Sequence, residues 1–381
     1  MTPFVLMDGP GEGRYAALRE RAREAAAGWA EEGGGALEPR ALVAQLGALG
    51  LLRYCVPAAW GGAAESVELR AMVAIREGLA YHSGLADTLF IMQGLGSYPV
   101  TLGGSEAQRA ALLPRVARGE CITAFALTEP EAGSDVSGIA TRAEPRPGGY
   151  RLTGMKCFIS NAGLADSYVV LARTGPDRHR GLTAFLVPAQ AGLRTEPVEL
   201  IADHPIGTVH FDGIELSEAD RIGAEGEGFR IAMATLDRFR ASVGAAAVGM
   251  AARALDAALG RVATRRQFGR ALAEFQATQM ALAEMAVELD AARLLVERAA
   301  VVGDRPGARV TSEAAMAKLY ATEAAQRIID RALQLHGGLG VVRGQVVERL
   351  YREVRALRIY EGTSEIQKLV IARELLRGTE G

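Results

Sequence analysis

Three segments carry residue types whose spacing could do chemistry. The first is "FALTEPEAGSD", Phe125 to Asp135, where a β-like run ends in a turn dense in small residues and hydroxyls, Thr128 and Ser134 among them. Such a turn can lay backbone N–H groups and hydroxyls along a ring edge or a pyrophosphate with no bulky side chain in the way. It also reads as an ordinary Pro/Gly/Asp turn. The second is "QLHGGLG", Gln334 to Gly340, whose glycines suit a helix stop or a close ligand approach. The third is "RIYEGTSEIQ", Arg358 to Gln367, in which Tyr360 and Glu361 precede Gly362 and a Thr363/Ser364 helix start. A carboxylate on a turn beside an aromatic ring and a glycine is placed to be desolvated, which raises its pKa toward that of a general base. Taken alone, Glu361 reads rather as a helix cap.

Other chemistries lack their residues. There is no G-x-x-x-x-G-K-[ST], no H-E-x-x-H and no strand-to-helix G-x-G-x-x-G. His82, His179, His204, His210 and His336 are scattered, so no metal site is expected. The 43 basic and 45 acidic residues give a net charge of -2, too balanced for the positive field that nucleic acid or an anionic membrane attracts. Neither is expected as a partner. Only Lys156, Lys318 and Lys368 are lysines, a bias that reads as genomic composition. Cys55, Cys121 and Cys157 are odd in number and unpaired in spacing, which suits a reduced, cytoplasmic setting. No signal peptide is read at the start. The longest uncharged stretch, Thr88 to Ser105, carries Gln93, Pro99 and several glycines, so no membrane insertion is expected.

These segments must be positioned by a chain of 381 residues whose texture changes twice. Residues 1–120 read as an alanine-rich amphipathic helical domain, interrupted at Gly33 to Gly35 and at "PAAWGG", Pro57 to Gly62. Residues 121–223 carry short β-rich runs such as "YRLTGMKCFIS", "SYVVLAR" and "GLTAFLVP", a β domain of barrel or sandwich type. Residues 224–381 return to helical period. Leu282, Met285, Leu289, Ala292, Val296 and Ala299 form a 3-4-3-4 seam of the kind that packs a four-helix bundle. "GDRPG", Gly303 to Gly307, is an interhelical turn. The fold class is α+β, helical domain, β domain and helical bundle in that order.

In this α-β-α frame, "ALTEPEAGSDVSG", "QLHGGLG" and "IYEGTSEIQ", in that order and spacing, closely resemble the acyl-CoA dehydrogenase family of flavoproteins, from about Tyr15 to Arg377. The resemblance implies FAD as cofactor. It assigns Phe125, Leu127 and Thr128 to the flavin ring, and Gly133 and Ser134 to the pyrophosphate, with Ser134 also near the thioester tail. "CFIS" stands where the family usually reads Trp-Ile-Thr; Phe158 would lie beside the ring and Ser160 near flavin N5, with Ile159 also at the cofactor. Arg265, Gln267, Phe268 and Gln276, with Gln334, Gly337 and Gly338, would serve the FAD of a neighbouring subunit. Thr363 and Glu365 would return to the first FAD. This implies an oligomer, a homotetramer or a dimer.

The implied reaction is α,β-dehydrogenation of an acyl-CoA to the trans-2-enoyl-CoA in fatty acid metabolism. Glu361 would remove the α-proton, hydride would pass to flavin N5, and electrons would continue to an electron-transfer flavoprotein. Asp237, Arg240, Tyr360 and Gly362 match substrate-contacting positions. Some branched- and long-chain members keep their base on an earlier helix, but the matching residue here is Phe239. Two departures stand out: "IADHPIGTVHFDGIEL" lacks the family's Arg-Gly-Ser-Thr run, and Gly344 replaces an acid or amide. No basic residue occurs from Ser83 to Gly103, which disfavours a substrate with a distal carboxylate. Competing expectations are the same desaturation on a carrier-protein-tethered acyl or aminoacyl group, an oxidase or N-oxygenase, and a low-turnover flavin-binding scaffold.

Overall fold

The computed structural model describes residues 12–31 and 38–377. The glycine cluster at 33–35 lies outside them. Helices α1 (Glu12–Glu31), α2 (Pro39–Ala48), α3 (Leu69–His82), α4 (Gly84–Gly103) and α5 (Glu106–Ala117) come first. Local chemistry starts several of them. In α2 the Glu38 carboxylate accepts from Ala41 N at 3.1 Å with Pro39 in the first turn, and α5 opens on a reciprocal capping box between Ser105 and Gln108.

Eight strands follow: β1 (Thr123–Ala126), β2 (Arg142–Arg146), β3 (Gly149–Ser160), β4 (Ser167–Arg173), β5 (Leu182–Pro188), β6 (Arg194–Pro197), β7 (Ile206–Ser217) and β8 (Arg221–Ile222). They form one sheet in the order β6-β7-β3-β2-β4-β5-β8, with β1 parallel to β4. The "YVVLA" run of β4 is buried throughout, as a strand with neighbours on both edges requires. The β3–β7 register shifts between Lys156 and Ile159, and Phe158 there takes φ +53°. A bulge of this kind turns a side chain out of the ladder, and Phe158 is 60% exposed.

The rest is helical: α6 (Gly228–Thr264), a small hairpin of β9 (Arg266–Gln267) and β10 (Arg270–Ala271), then α7 (Gln276–Gly303), α8 (Thr311–His336), α9 (Val346–Leu357) and α10 (Ser364–Arg377). The seam on α7 is buried from Met285 to Ala299, with Leu282 half-buried at its start. "GDRPG" lies between α7 and α8. Helix α6 is long and apolar enough, by length and composition, to cross a membrane, yet 67% of its most apolar stretch is buried inside the protein.

By contact the chain gathers into two compact units. One holds α1, α3 with the start of α4, and the chain from Arg240 onward. Small residues let its helices approach: a Cβ on Gly244 of α6 would meet Val296 of α7 at 2.7 Å and the Ala317 carbonyl of α8 at 3.2 Å. The other unit holds α2, the chain from Thr88 to Phe239, and therefore the sheet. Its core includes Leu127, Ala132, Ile139, Leu171, Leu182 and Ala232.

Candidate active site

In the first unit, α9 ends at Leu357 and the chain turns through Tyr360, Glu361 and Gly362 into α10. Glu361 sits at φ +53° and Gly362 at φ +91°, two successive left-handed residues. Each non-glycine residue so placed costs on the order of 1–3 kcal/mol and persists only where its surroundings hold it. Here they do. Ser364 N donates to Arg358 O at 3.1 Å, and Glu323 of α8 accepts from the Ser364 hydroxyl at 2.6 Å and from Arg358 Nε at 2.8 Å. Gln367 Nε2 donates to the carbonyls of both Glu361 and Gly362, at 3.1 and 2.9 Å. Lys318 Nζ, from α8, also donates to the Gly362 carbonyl at 2.7 Å. Arg240 Nε, from α6, lies 3.4 Å from the Glu361 carbonyl. Glycine suits position 362 because its φ of +91° lies where other residues are strained.

The Glu361 side chain is held differently from its backbone. Its Oε2 is shut off from solvent and has no hydrogen-bond partner. Burial raises its pKa, while Arg76, Arg240 and Lys318 pull it back down and Asp87 adds to the rise. Arg76 and Asp87 are themselves buried and paired through two 2.7 Å hydrogen bonds, and Arg76 Nη1 donates to Ser242 at 3.0 Å. Burial also pushes the Tyr360 phenol well above its ordinary range. A carboxylate shielded from water, poised upward by desolvation and restrained by cations, is equipped to accept a proton from a weak carbon acid.

In the second unit the turn after β1 is organised by a buried ion pair. Lys156 Nζ lies 2.7 Å from Glu129 and donates to the Leu127 carbonyl at 3.0 Å, and Glu129 also accepts from Ala140 N and Thr141 N at 2.6 and 3.0 Å. Burial lowers the Lys156 pKa to about 8. For Glu129, burial is outweighed by Lys156, leaving its pKa below the ordinary carboxylate range. Cys157 N donates to Thr128 O at 2.9 Å, so both carbonyls flanking the Leu127–Thr128 peptide are occupied. Phe125 and Thr128 are half-buried and Leu127 is buried, whereas Gly133 and Ser134 are exposed, with nothing within 4 Å of a Cβ built on Gly133. Ile159 is buried, and the Ser160 hydroxyl is 2.8 Å from His204 Nε2. His204 lies in the run that departs from the family pattern, and burial lowers its pKa to about 4. A displayed ring and an open glycine–serine turn fit a flat, phosphate-bearing cofactor.

The remaining expected residues are distributed along the first unit and α6. Arg265, Gln267 and Phe268 lie exposed on the β9–β10 hairpin, with Phe268 93% exposed at φ +50°, and Gln276 opens α7. Gln334, Gly337 and Gly338 are exposed at the end of α8, where Gly337 adopts φ +61°. Asp237 is half-buried on α6, and Phe239 is fully buried with its ring edge-on to Tyr98 at 5.3 Å. Thr363 Oγ1 accepts from Ile366 N at 3.4 Å, and Glu365 is exposed. Sequence reasoning missed Lys318, Gln367, the Arg76–Asp87 pair, the Lys156–Glu129 pair and His204. The one available signal was the scarcity of lysine: two of the chain's three lysines are these two buried ones.

This fold and site define the class. Three family models match in order: the acyl-CoA dehydrogenase N-terminal domain over residues 15–120, the middle domain over 124–214 and the C-terminal domain over 226–376. The chain belongs to the acyl-CoA dehydrogenase family of flavoprotein oxidoreductases, which act on CH–CH bonds with FAD. It is 38% identical to an acyl-CoA dehydrogenase of Bacillus subtilis over 90% of this chain and 91% of that one. The structure of butyryl-CoA dehydrogenase from Megasphaera elsdenii is similar at a TM-score of 0.91 and 31% identity, covering 98% of this chain and 100% of that one. A chain from a structural study of the electron transferring flavoprotein of Acidaminococcus fermentans is similar at 0.91 and 32% identity, covering 99% and 100%.

Proposed function

We propose that this protein removes the α and β hydrogens of an acyl-CoA thioester, with Glu361 as the base that takes the α-proton. The observation that carries this is the state of Glu361: a shielded, unpartnered carboxylate oxygen on a loop pinned through two carbonyls and ringed by Arg76, Arg240 and Lys318. Desolvation gives the base its strength, and the three cations hold that rise back. No second carboxylate competes at the earlier helical position, where Phe239 is buried. Bound FAD supplies the acceptor for the β-hydrogen as hydride.

The cofactor would be held by Phe125, Leu127, Thr128, Gly133, Ser134, Phe158, Ile159 and Ser160, with Thr363 and Glu365. Arg265, Gln267, Phe268, Gln276, Gln334, Gly337 and Gly338, all exposed in the single chain, would serve a second copy in a homotetramer or dimer. Asp237, Arg240, Tyr360 and Gly362 would meet the acyl-CoA. A substrate with a distal carboxylate is disfavoured, which leaves straight or modestly branched acyl groups open. Arg76 gives no free positive charge for a distal carboxylate, because its guanidinium is committed to Asp87 and Ser242. Electrons would leave to an electron-transfer flavoprotein in the cytoplasm, a setting in which three buried free cysteines persist.

Anaerobic titration of the FAD-loaded protein with straight, branched and aromatic acyl-CoAs tests the reading through bleaching of the oxidised flavin band. The expected result is bleaching by at least one acyl-CoA in the wild type, and binding without bleaching in Glu361→Gln. Bleaching that persists in Glu361→Gln would remove the base assignment. Absence of bleaching with every free thioester would turn the reading toward carrier-tethered substrates.

A further inference from the structure

Lys318 is an unusual residue to find at 0% exposure, since a lysine in a protein interior ordinarily sits against a carboxylate. The other buried lysine, Lys156, follows that rule at 2.7 Å from Glu129. Lys318 does not. Among the described residues it forms no salt bridge, and its hydrogen bond goes to a neutral carbonyl, that of Gly362, at 2.7 Å. Its helix presents alanines among its buried residues, Ala314, Ala315, Ala317 and Ala321. A buried ammonium is expensive to desolvate, and burial accordingly lowers its pKa to about 8. The charge that offsets this most is Glu361.

We infer that Lys318 is a positioning residue for the base, fixing the Glu361–Gly362 turn through the Gly362 carbonyl and setting its ammonium beside the Glu361 side chain. The inference rests on Glu361 being the base. Two tasks are joined in one ammonium. The hydrogen bond, shared with Gln367, holds the peptide that follows Gly362 and so secures the two left-handed residues before it. The charge acts on a carboxylate oxygen that has no hydrogen bond to stabilise it. The groups facing Glu361 are Arg76 from α3, Asp87 from α4, Arg240 from α6, Lys318 from α8 and Tyr360 of its own loop. Arg76 is largely answered by Asp87, and Lys318 is faced by Glu323 and Glu365 as well as by Glu361.

The test is the pH dependence of anaerobic flavin reduction by the best acyl-CoA, for wild type, Lys318→Gln, Lys318→Arg, Gln367→Leu and Glu361→Gln, with FAD occupancy and thermal melting measured on each. In Lys318→Gln the acidic limb should move up by about one pH unit and the limiting rate should fall by about tenfold, at unchanged FAD occupancy. Lys318→Arg should return the limb toward the wild-type position. Gln367→Leu removes the second donor without changing charge, so the limiting rate should fall while the limb stays in place; if Lys318→Gln does not fold, Lys318→Met, uncharged and of similar length, is read in its place with the same expected shift. A limb that does not move in Lys318→Gln, with only melting temperature or FAD content reduced, would make Lys318 purely structural and overturn the inference. An unchanged limiting rate in Gln367→Leu would overturn the clamp. Glu361→Gln separates the two levels: if it still reduces flavin, the base assignment fails, whereas an inactive Glu361→Gln beside an unshifted Lys318→Gln refutes the positioning role alone.

Discussion

The molecule uses the same device twice, and the two uses differ in one respect. In the sheet-bearing unit, buried Lys156 holds the Leu127 carbonyl beside Thr128; in the helical unit, buried Lys318 holds the Gly362 carbonyl beside Glu361. Lys156 is neutralised by Glu129, whose oxygens are further occupied by two backbone N–H groups. Among the described residues Lys318 forms no salt bridge, and its hydrogen bond goes to a carbonyl. A closed ion pair fixes a turn and exerts little field beyond itself. An open ammonium fixes a turn and also acts on the nearest carboxylate. The first arrangement suits a surface that must only be shaped, the second a residue that must change its protonation state.

That contrast can be broken at its strongest point first. Glu361→Gln should lower the rate of flavin reduction by about 10²–10⁴-fold, the range of a lost general base, as read by anaerobic stopped flow. In the wild type the rate should rise with pH through a midpoint above the ordinary carboxylate range, because burial raises the Glu361 pKa and only its ionised form accepts the proton.

Next in size, Lys156→Met should destabilise the protein by about 3–5 kcal/mol, because Glu129 would remain buried without its cation. Denaturant unfolding would show this together with reduced FAD retention. Lys318→Gln should cost far less stability, since no buried carboxylate is stranded. If the two variants unfold alike, the distinction between a structural and an electrostatic lysine is lost.

The same distinction has a pH signature. Lys318 binds its proton less tightly in the folded chain, at about 8 against 10.5, so the unfolded state holds more protons in that window and stability gains from this group as pH rises through it. The gain should be missing from Lys318→Gln when its unfolding free energy is compared with wild type between those pH values. His204 sharpens the picture from the acid side. Its pKa is about 4 against 6.5, so folding favours the neutral ring, and stability is lost as pH falls from 6.5 toward 4. His204→Asn, which can still meet the Ser160 hydroxyl, should flatten that slope in acid-unfolding curves. The smallest effect serves as a control: Ser105→Ala should cost about 1 kcal/mol through loss of the α5 capping box, and leave FAD occupancy and the pH limb of flavin reduction untouched.

Much of this protein was legible because it is local. The change from helical to strand texture near Cys121 and back near Glu225, the α7 seam, the "GDRPG" turn and the glycine that ends α8 are each written within a few residues of where they act. The three motif segments belong to the same class, and they sufficed to suggest the family, FAD and a glutamate at 361. The bulge at Phe158 was not legible. It arises from a register shift between β3 and β7, strands separated by some fifty residues of chain, and it turns an expected strand residue outward.

What the amino-acid sequence determined by itself was therefore the kinds of element, their order, and the short turns whose residue types match one family. What only the tertiary structure decided was how those turns are held. Lys318 reaches Gly362 across 44 residues, Lys156 reaches Glu129 across 27, and Arg76 reaches Ser242 across 166. Texture divides the chain into three stretches, whereas packing gathers it into two units, with α3 grouped alongside the C-terminal helices. The physical reason is the same in each case. Helix and strand patterns are set by neighbours along the chain, but the worth of a buried charge depends on which distant group the fold places against it, and no spacing in the sequence encodes that distance.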